Sequence, residues 1–335
     1  MTSGGSLPCG VRLVGTGSAV PGRVLTNDDL SKILDTSDEW IRQRTGIRER
    51  RICSESDESV FSLQRDALQR ALDDAGMKGS DLDLIICASV TSEMTCPSNA
   101  CRVAAAVDAA PAGAFDMVAA CSGFVYALNV ADSLVRCGRH RAIGVVGCDA
   151  MSKVVDFEER TVSVLFGDAA GAAIVVRDDD PSKGSVYQTL NADGSGWHSL
   201  YLPRRETDIP AGSPESDIRL GYLRMDGRDV YRFAVSKFKE VIEDAMASTS
   251  LTPDDIAQFI CHQSNIRIIE SAKEKLGLPD DKVYINIDRY GNTSGGSVGL
   301  CLDEIRRAGR ISDGDTIVFV AFGGGLTWAS SVWNL

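Results

Sequence analysis

Within AACSGFVYAL (residues 119–128), Cys121 sits where the apolar, strand-like FDMVAA gives way to a helix-like run. Ser122 and Gly123 permit a sharp turn, and the small neighbours leave room for a substrate. A thiol at a helix N-terminus feels the positive end of the helix dipole, which is expected to favour the nucleophilic thiolate. Against this stands the ordinary fate of free cysteine, which is among the most buried residue types. Three further stretches add chemistry. In FICHQSNIRIIE, His262 leaves a predicted strand and leads into a helix, and open α/β sheets place ligands at strand C-terminal ends. A core histidine satisfied by backbone is the plainer reading of a lone His. In RYGNTSGGSVG (289–299), an Asn-Thr-Ser run between glycines can aim an amide into a cleft, whereas composition alone suggests a flexible loop. In FGGGLTW (322–328), consecutive glycines can present backbone N–H groups to an oxyanion. His140, in the basic turn RCGRHR, and His198, in a Gly/Ser loop, read as solvated.

The elements that must position these residues alternate along the chain. VFSLQRDALQRALDDAGM (60–77) has helical apolar spacing and LDLIICASVT (82–91) reads as a buried strand. The run after Cys121 has helical period and ends at a glycine. AIGVVGCDAM (142–151), AAIVVR (172–177) and the late IVFVAFGGGLTWASSVW (317–333) read as strands, the last as two strands and a turn. VYRFAVSKFKEVIEDAMAST (230–249) is an amphipathic helix. Two pairs of segments match in order: GSDLDLIICASVT with TPDDIAQFICHQSN, and FGDAAGAAIVV with FGGGLTWASSV. A duplicated α/β unit is therefore expected, divided at the charged DDDPSKG (178–184) into halves 1–180 and 181–335.

The 335 residues suffice for one large or two ordinary domains, and 44% hydrophobic with 24% charged content is that of a globular chain. A net charge of −12 disfavours a broad nucleic-acid surface, so an anionic ligand needs a local basic island. The N-terminus lacks the basic start and apolar stretch of a secretory signal, and the late apolar segment is broken by glycines, so no membrane insertion is expected. Ten cysteines without a CxxC pair argue against a zinc site or a disulfide framework and for a reducing cytoplasm.

Taken together, GTGSAVPGRVLTNDDL, TSDEWIRQRTGIRERR, AACSGFVYAL, FGDAAGAA, CHQSNIRIIE, GNTSGGS and AFGGGLTW resemble 3-oxoacyl-[acyl-carrier-protein] synthase III, the initiating condensing enzyme of bacterial and plastid fatty acid synthesis. The resemblance runs nearly end to end. It implies the α/β thiolase fold, a five-layered αβαβα arrangement of two duplicated halves, and a homodimer. It makes Cys121 the acylated nucleophile, His262 and Asn292 the pair serving decarboxylation, and the N–H groups of Cys121 and Gly324 the oxyanion hole. It places Trp40, Arg44, Thr45 and Arg160 at the CoA nucleotide, with Trp40 and Arg160 sandwiching the adenine. Gly227, Ser264 and Asn265 fall along the pantetheine tunnel, Cys96 and Phe322 at the acyl pocket, and Arg232, Arg267, Lys273 and Lys275 at a carrier-protein dock. The implied substrates are an acyl-CoA and malonyl-acyl carrier protein, with no metal or other cofactor. Two departures stand out. Gly295, Gly296 and Gly299 replace the family's usual alanines and proline after Asn292, which suggests a looser loop. Cys96 replaces a bulky aromatic, which suggests a deeper pocket. A condensing enzyme of secondary metabolism, a Cys-His-Asn thioester hydrolase and a non-catalytic acyl-binding protein are the alternative readings.

Overall fold

The computed structural model describes residues 9–54, 56–213 and 219–335. The chain opens with strand β1 (Gly10–Ala19), then β2 (Arg23–Thr26), helices α1 (Asn27–Leu30) and α2 (Asp38–Thr45), and β3 (Glu49–Ile52). Next come α3 (Val60–Ala75), β4 (Leu84–Ala88), α4 (Asn99–Ala106), β5 (Gly113–Met117) and α5 (Gly123–Arg136). They are followed by β6 (Ala142–Ala150), α6 (Arg160–Ser163), β7 (Asp168–Asp178), β8 (Gly184–Ala192), β9 (Leu200–Tyr201) and β10 (Arg224–Met225). The remainder comprises α7 (Gly227–Thr249), β11 (Gln258–Cys261), α8 (Ile266–Leu276), α9 (Ile287–Tyr290), α10 (Ser297–Arg307), β12 (Thr316–Gly323) and β13 (Thr327–Asn334).

Local chemistry sets the boundaries. Ser59 caps α3 through the Ser62 N–H, and Gly76 ends it at φ 64°, a left-handed value that favours glycine. Asn265 caps α8 at its start by accepting from the Arg267 N–H, and Gly277 closes it at φ 64°. The strand read over 82–91 is shorter, because the chain turns after Ala88 to place Ser89 and Thr91 on a buried carboxylate. The strand read over 172–177 is longer and runs 168–178, since the small residues of DAAGAA pair on both sides.

Two large sheets form, in the orders β1-β7-β6-β4-β5 and β11-β12-β13-β8, beside the two-stranded pairs β2-β3 and β9-β10. In the first, β4 is parallel to β6, β6 antiparallel to β7, and β7 antiparallel to β1. In the second, β11 is parallel to β12, β12 antiparallel to β13, and β13 antiparallel to β8. The same plan therefore occurs twice, with β5 as an extra edge on the first sheet. The segments paired from sequence occupy equivalent strands, β4 with β11 and β7 with β13. A central core joins α5 and α10 to the facing sides of both sheets through residues such as Phe124, Leu302, Ile86 and Phe319. Helices α3 and α4 cover the outer side of the first sheet, and α7 and α8 that of the second. These are the five layers of the thiolase fold. Among the described residues no helix is long and apolar enough to cross a membrane.

The central layer depends on backbone meeting backbone. A Cβ at Gly171 of β7 would lie 2.2 Å from the Gly299 carbonyl carbon of α10, and one at Gly147 of β6 would lie 2.2 Å from the Gly295 carbonyl oxygen. Gly171→Ala should therefore overpack this layer and cost about 1–3 kcal/mol, the range typical of a methyl forced into a filled core. Urea unfolding checks this, and an unchanged midpoint and slope would refute the packing argument.

Candidate active site

Cys121 occupies a 3₁₀ turn, Ala120–Ser122, between β5 and α5. Ala120 is held at φ 47°, a strained value for a residue with a side chain. The turn packs so closely that a Cβ at Gly123 would lie 2.9 Å from the Ala88 Cβ. A matching turn, Ser294–Gly296, precedes α10, and its first residue, Ser294, has φ 49°. The thiol of Cys121 donates to the Ser294 hydroxyl at 3.4 Å. The sequence led us to expect the helix terminus to favour the thiolate. Instead, burial dominates and pushes the thiol up to about 12, with the Ser294 hydrogen bond opposing and the Asp149 charge adding to the rise. The resting nucleophile is a protonated thiol.

His262 follows β11 and is anchored by its N–H to the Val320 carbonyl at 2.8 Å. Its Nδ1 lies 2.6 Å from the Ser297 hydroxyl at the start of α10. The Gln263 N–H donates to that same Oγ at 3.5 Å, which lets the hydroxyl turn its own proton to Nδ1, the arrangement that goes with the ring proton on Nε2. Burial lowers the imidazole to about 3, so the ring is neutral at physiological pH. Asn292 is fixed from both sides: its N–H donates to Leu165 and its carbonyl accepts from Gly167, at 2.8 and 3.0 Å. Its Oδ1 accepts from the Ser294 N–H at 2.9 Å, which leaves the amide NH₂ to face the cavity. The loop that follows is not loose. Gly295, Gly296 and Gly299 are buried, and a Cβ at Gly296 would lie 2.3 Å from the Ala169 carbonyl oxygen. These glycines serve close approach, not freedom.

Cys121, His262 and Asn292 line one cavity of about 210 Å³, shared with Phe322 and Gly323. Gly323 is pressed against the nucleophile, since a Cβ there would lie 2.7 Å from the Cys121 nitrogen. Gly324 follows it and faces Leu200. Gly227, Ser264 and Asn265 also line the cavity. The Ser264 hydroxyl is buried without a partner, and the Asn265 amide donates to the Arg44 carbonyl at 3.2 Å, tying α8 to α2. The Arg160 and Arg44 guanidiniums lie 5.0 and 5.8 Å from the Trp40 ring centroid. Thr45 is buried and its hydroxyl is spent inside the fold, donating to Ile41 and accepting from the Ile47 N–H.

Beside this cluster, a wider groove of about 1210 Å³ runs between α2 and α8. It takes in Arg267 and Lys273 and adds Arg42 and Arg48, which sequence reading did not single out although they lie in the quoted TSDEWIRQRTGIRERR. Lys273 pairs with Asp280 at 2.7 Å and Arg232 with Asp229 at 3.2 Å, while Lys275 is exposed. Cys96 is exposed and lies outside the cavity lining of its own chain. Ser294, Ser297, Gly323 and Asp149 were also missed. The two serines stood inside GNTSGGS, and Asp149 was legible as the one acid in an apolar strand.

Comparison with known proteins finds relatives over nearly the whole chain. The family description "3-Oxoacyl-[acyl-carrier-protein (ACP)] synthase III" matches residues 115–194, and its C-terminal counterpart matches residues 246–335. A relative from Caldanaerobacter subterraneus subsp. tengcongensis, named beta-ketoacyl-[acyl-carrier-protein] synthase III, is 47% identical over 320 residues, 96% of each chain. The crystal structure of 3-oxoacyl-[acyl-carrier-protein] synthase III from Aquifex aeolicus superposes with a TM-score of 0.89 at 40% identity, over 97% of this chain and 100% of that one. A priming beta-ketosynthase of a polyketide pathway superposes with a TM-score of 0.90 at 36% identity, over 99% and 98%.

The neutral imidazole has a consequence for stability. Unfolded histidine takes up a proton near 6.5, whereas buried His262 does so only near 3. The unfolded state thus binds the extra proton between these values, and the contribution is complete above 6.5 and lost as pH falls. The slope approaches about 1.4 kcal/mol per pH unit. Urea titrations at two pH values inside this window should show a shallower pH dependence for His262→Gln than for the wild type. Equal dependences would contradict burial of a neutral ring.

Proposed function

The chain belongs to the 3-oxoacyl-[acyl-carrier-protein] synthase III family, and on that basis we infer how its site performs the initiating condensation of fatty acid synthesis. The enzyme is an acyltransferase that joins an acyl-CoA to malonyl-acyl carrier protein with loss of carbon dioxide. The observation that carries the assignment of residues is the convergence of a thiol, a neutral imidazole and an amide on one cavity. Cys121 attacks the acyl-CoA thioester, and the N–H groups of Cys121 and Gly324 receive the oxyanion. The tight packing of Gly323 on Cys121 supports this, because it brings the glycine turn against the nucleophile. Malonyl-carrier protein then enters. The His262 Nε2–H and the Asn292 amide donate to its thioester carbonyl, and carbon dioxide leaves an enolate that both stabilise. A neutral ring donates there without itself changing charge. The carbanion attacks the acyl-cysteine and releases 3-oxoacyl-carrier protein. As drawn, the reaction calls for no metal or other cofactor. Residues 1–180 supply the nucleophile and 181–335 the enolate donors.

Trp40 with Arg160 and Arg44 is suited to the adenine of CoA, since a guanidinium and an indole stack on a base. The pantetheine arm runs past Gly227, Ser264 and Asn265. Arg232, Arg267, Lys273 and Lys275 offer positive charge to an acidic carrier protein. The edge strand β5, with Phe115 exposed by 38% and Val118 just beyond its end by 76%, supports a homodimer built on that edge. Ten free thiols fit a reducing cytoplasm.

The two half-reactions separate experimentally. Wild-type protein incubated with acetyl-CoA should gain an acetyl mass on Cys121, and Cys121→Ala should not. Asn292→Asp should keep this loading yet lose condensation by about 100-fold, the scale of one missing oxyanion donor. Lost loading with intact decarboxylation would reverse the roles. Starter choice is a separate matter. With Cys96 outside its own chain's cavity, its influence requires a second subunit. Cys96→Phe should then lower kcat/KM for octanoyl-CoA relative to acetyl-CoA by about tenfold, two or three buried methylenes being worth that much or more. An unchanged ratio would remove Cys96 from the acyl pocket.

A further inference from the structure

The mechanism above leaves one proton without an acceptor. Cys121 rests as a thiol, and in the mechanism above the His262 ring is already engaged, with Nδ1 held by Ser297 and Nε2–H serving as the enolate donor. The thiol instead points at the Ser294 hydroxyl, donating to it at 3.4 Å. Because Oγ accepts there, the serine proton is free to point elsewhere, and Ser294 directly precedes Gly295, whose N–H donates to Asp149 Oδ2, so its hydroxyl lies beside that carboxylate and helps to hold its charge. Four hydrogen bonds anchor that carboxylate. Oδ1 accepts from the Ser89 hydroxyl, the Val90 N–H and the Thr91 hydroxyl at 3.0, 2.8 and 2.9 Å. Among the described residues Oδ2 accepts the Gly295 N–H alone, at 3.0 Å, which leaves it a lone pair for the serine.

Asp149 is fully buried at the end of β6. The thiols that feel its charge are Cys121 and, from the opposite face of β6, Cys148, both held protonated by burial. Among the described residues no Lys, Arg or His forms an ion pair with it. Burial raises its basicity above that of an ordinary carboxylate while its donors act in the opposite sense. A buried carboxylate without a counter-ion beside a nucleophilic thiol is costly to maintain and depresses thiolate formation, unless it serves to receive the proton.

We propose that Ser294 is a further catalytic residue, relaying the Cys121 proton to Asp149 as the thioester is attacked. The inference rests on the acyl-transfer reading of Cys121. As the Cys121 S–C bond forms, the thiol proton passes to Ser294 Oγ and the Ser294 proton passes to Asp149 Oδ2. When the tetrahedral adduct collapses, the C–S bond to CoA breaks. The departing thiolate takes the proton back along the same path and leaves as the free thiol. Asp149 ends as it began, and no other reactant is consumed. Asp149 acts through Ser294 and also positions it, since its bond to the Gly295 N–H fixes the turn.

Single-turnover acylation by acetyl-CoA, followed by intact mass from pH 6.5 to 8.5, tests this. Ser294→Ala removes one atom at a φ that Ala120 already adopts in this protein, so the turn is preserved. The wild-type rate should be nearly flat with pH. The variant should be slower by about 100-fold near neutrality, the scale of a lost proton-transfer group. It should also regain about tenfold per pH unit, because it must wait for free thiolate. Malonyl-carrier-protein decarboxylation should change by no more than about twofold, since the backbone N–H that orients Asn292 remains. Asp149→Asn, folded by circular dichroism, should show the same pH slope. Wild-type acylation in Ser294→Ala, pH profiles that run parallel, or equal loss of both half-reactions would each overturn the relay. Failure of the wild type to form any thioester would overturn the acyl-transfer reading instead.

Discussion

The site depends on one steric constraint: α10 must meet β6 and β7 with no side-chain layer between them. Gly171 faces Gly299 and Gly147 faces Gly295 across distances that no Cβ would fit. Layers packed through their side chains keep their backbones well apart, about 10 Å for stacked sheets. Here the approach draws the start of α10 down to the level of Cys121. Ser294 then reaches the thiol, Ser297 reaches the His262 ring, and Asn292 is held at the cavity wall. The same approach is why three glycines, an apparent invitation to mobility, are buried.

Burial then sets the electrostatics. Desolvation disfavours every charged form, so the thiol and the imidazole both rest neutral. For the imidazole this is useful, because a neutral donor can meet a growing enolate and remain in place. For the thiol it is a handicap, and the neighbouring carboxylate adds to it. A thiol held this way has little standing thiolate, which is the physical reason for the proton transfer proposed above.

Much of this was legible from the chain. Small residues round Cys121 announced the turn, and the repeated order of acidic loop, apolar strand and polar exit announced the duplication, because both are local patterns. The protonation of Cys121 was not legible, since it turns on burial by segments far away in the chain, with Ser294 lying 173 positions from the thiol. Nor was the packing role of Gly296, which depends on the Ala169 carbonyl. The groove arginines at 42 and 48 lay inside a quoted motif, yet only the fold shows which of five neighbouring arginines share a wall with α8. Long-range contacts carry this information, and periodicity does not.

Strand register allows the two halves to be matched residue by residue. With β4 laid on β11 and β6 on β12, Ala88 corresponds to His262 and Asp149 to Gly323. The turns before α5 and α10 match likewise, with Ala120 on Ser294 and Cys121 on Gly295. The nucleophile therefore has a silent twin. Where one copy opens a gap with Gly323 against a thiol, the other fills it with a carboxylate against a bare N–H. Of two turns of equal geometry, one carries the thiol and the other a bare N–H on a carboxylate, and the two meet at a single serine.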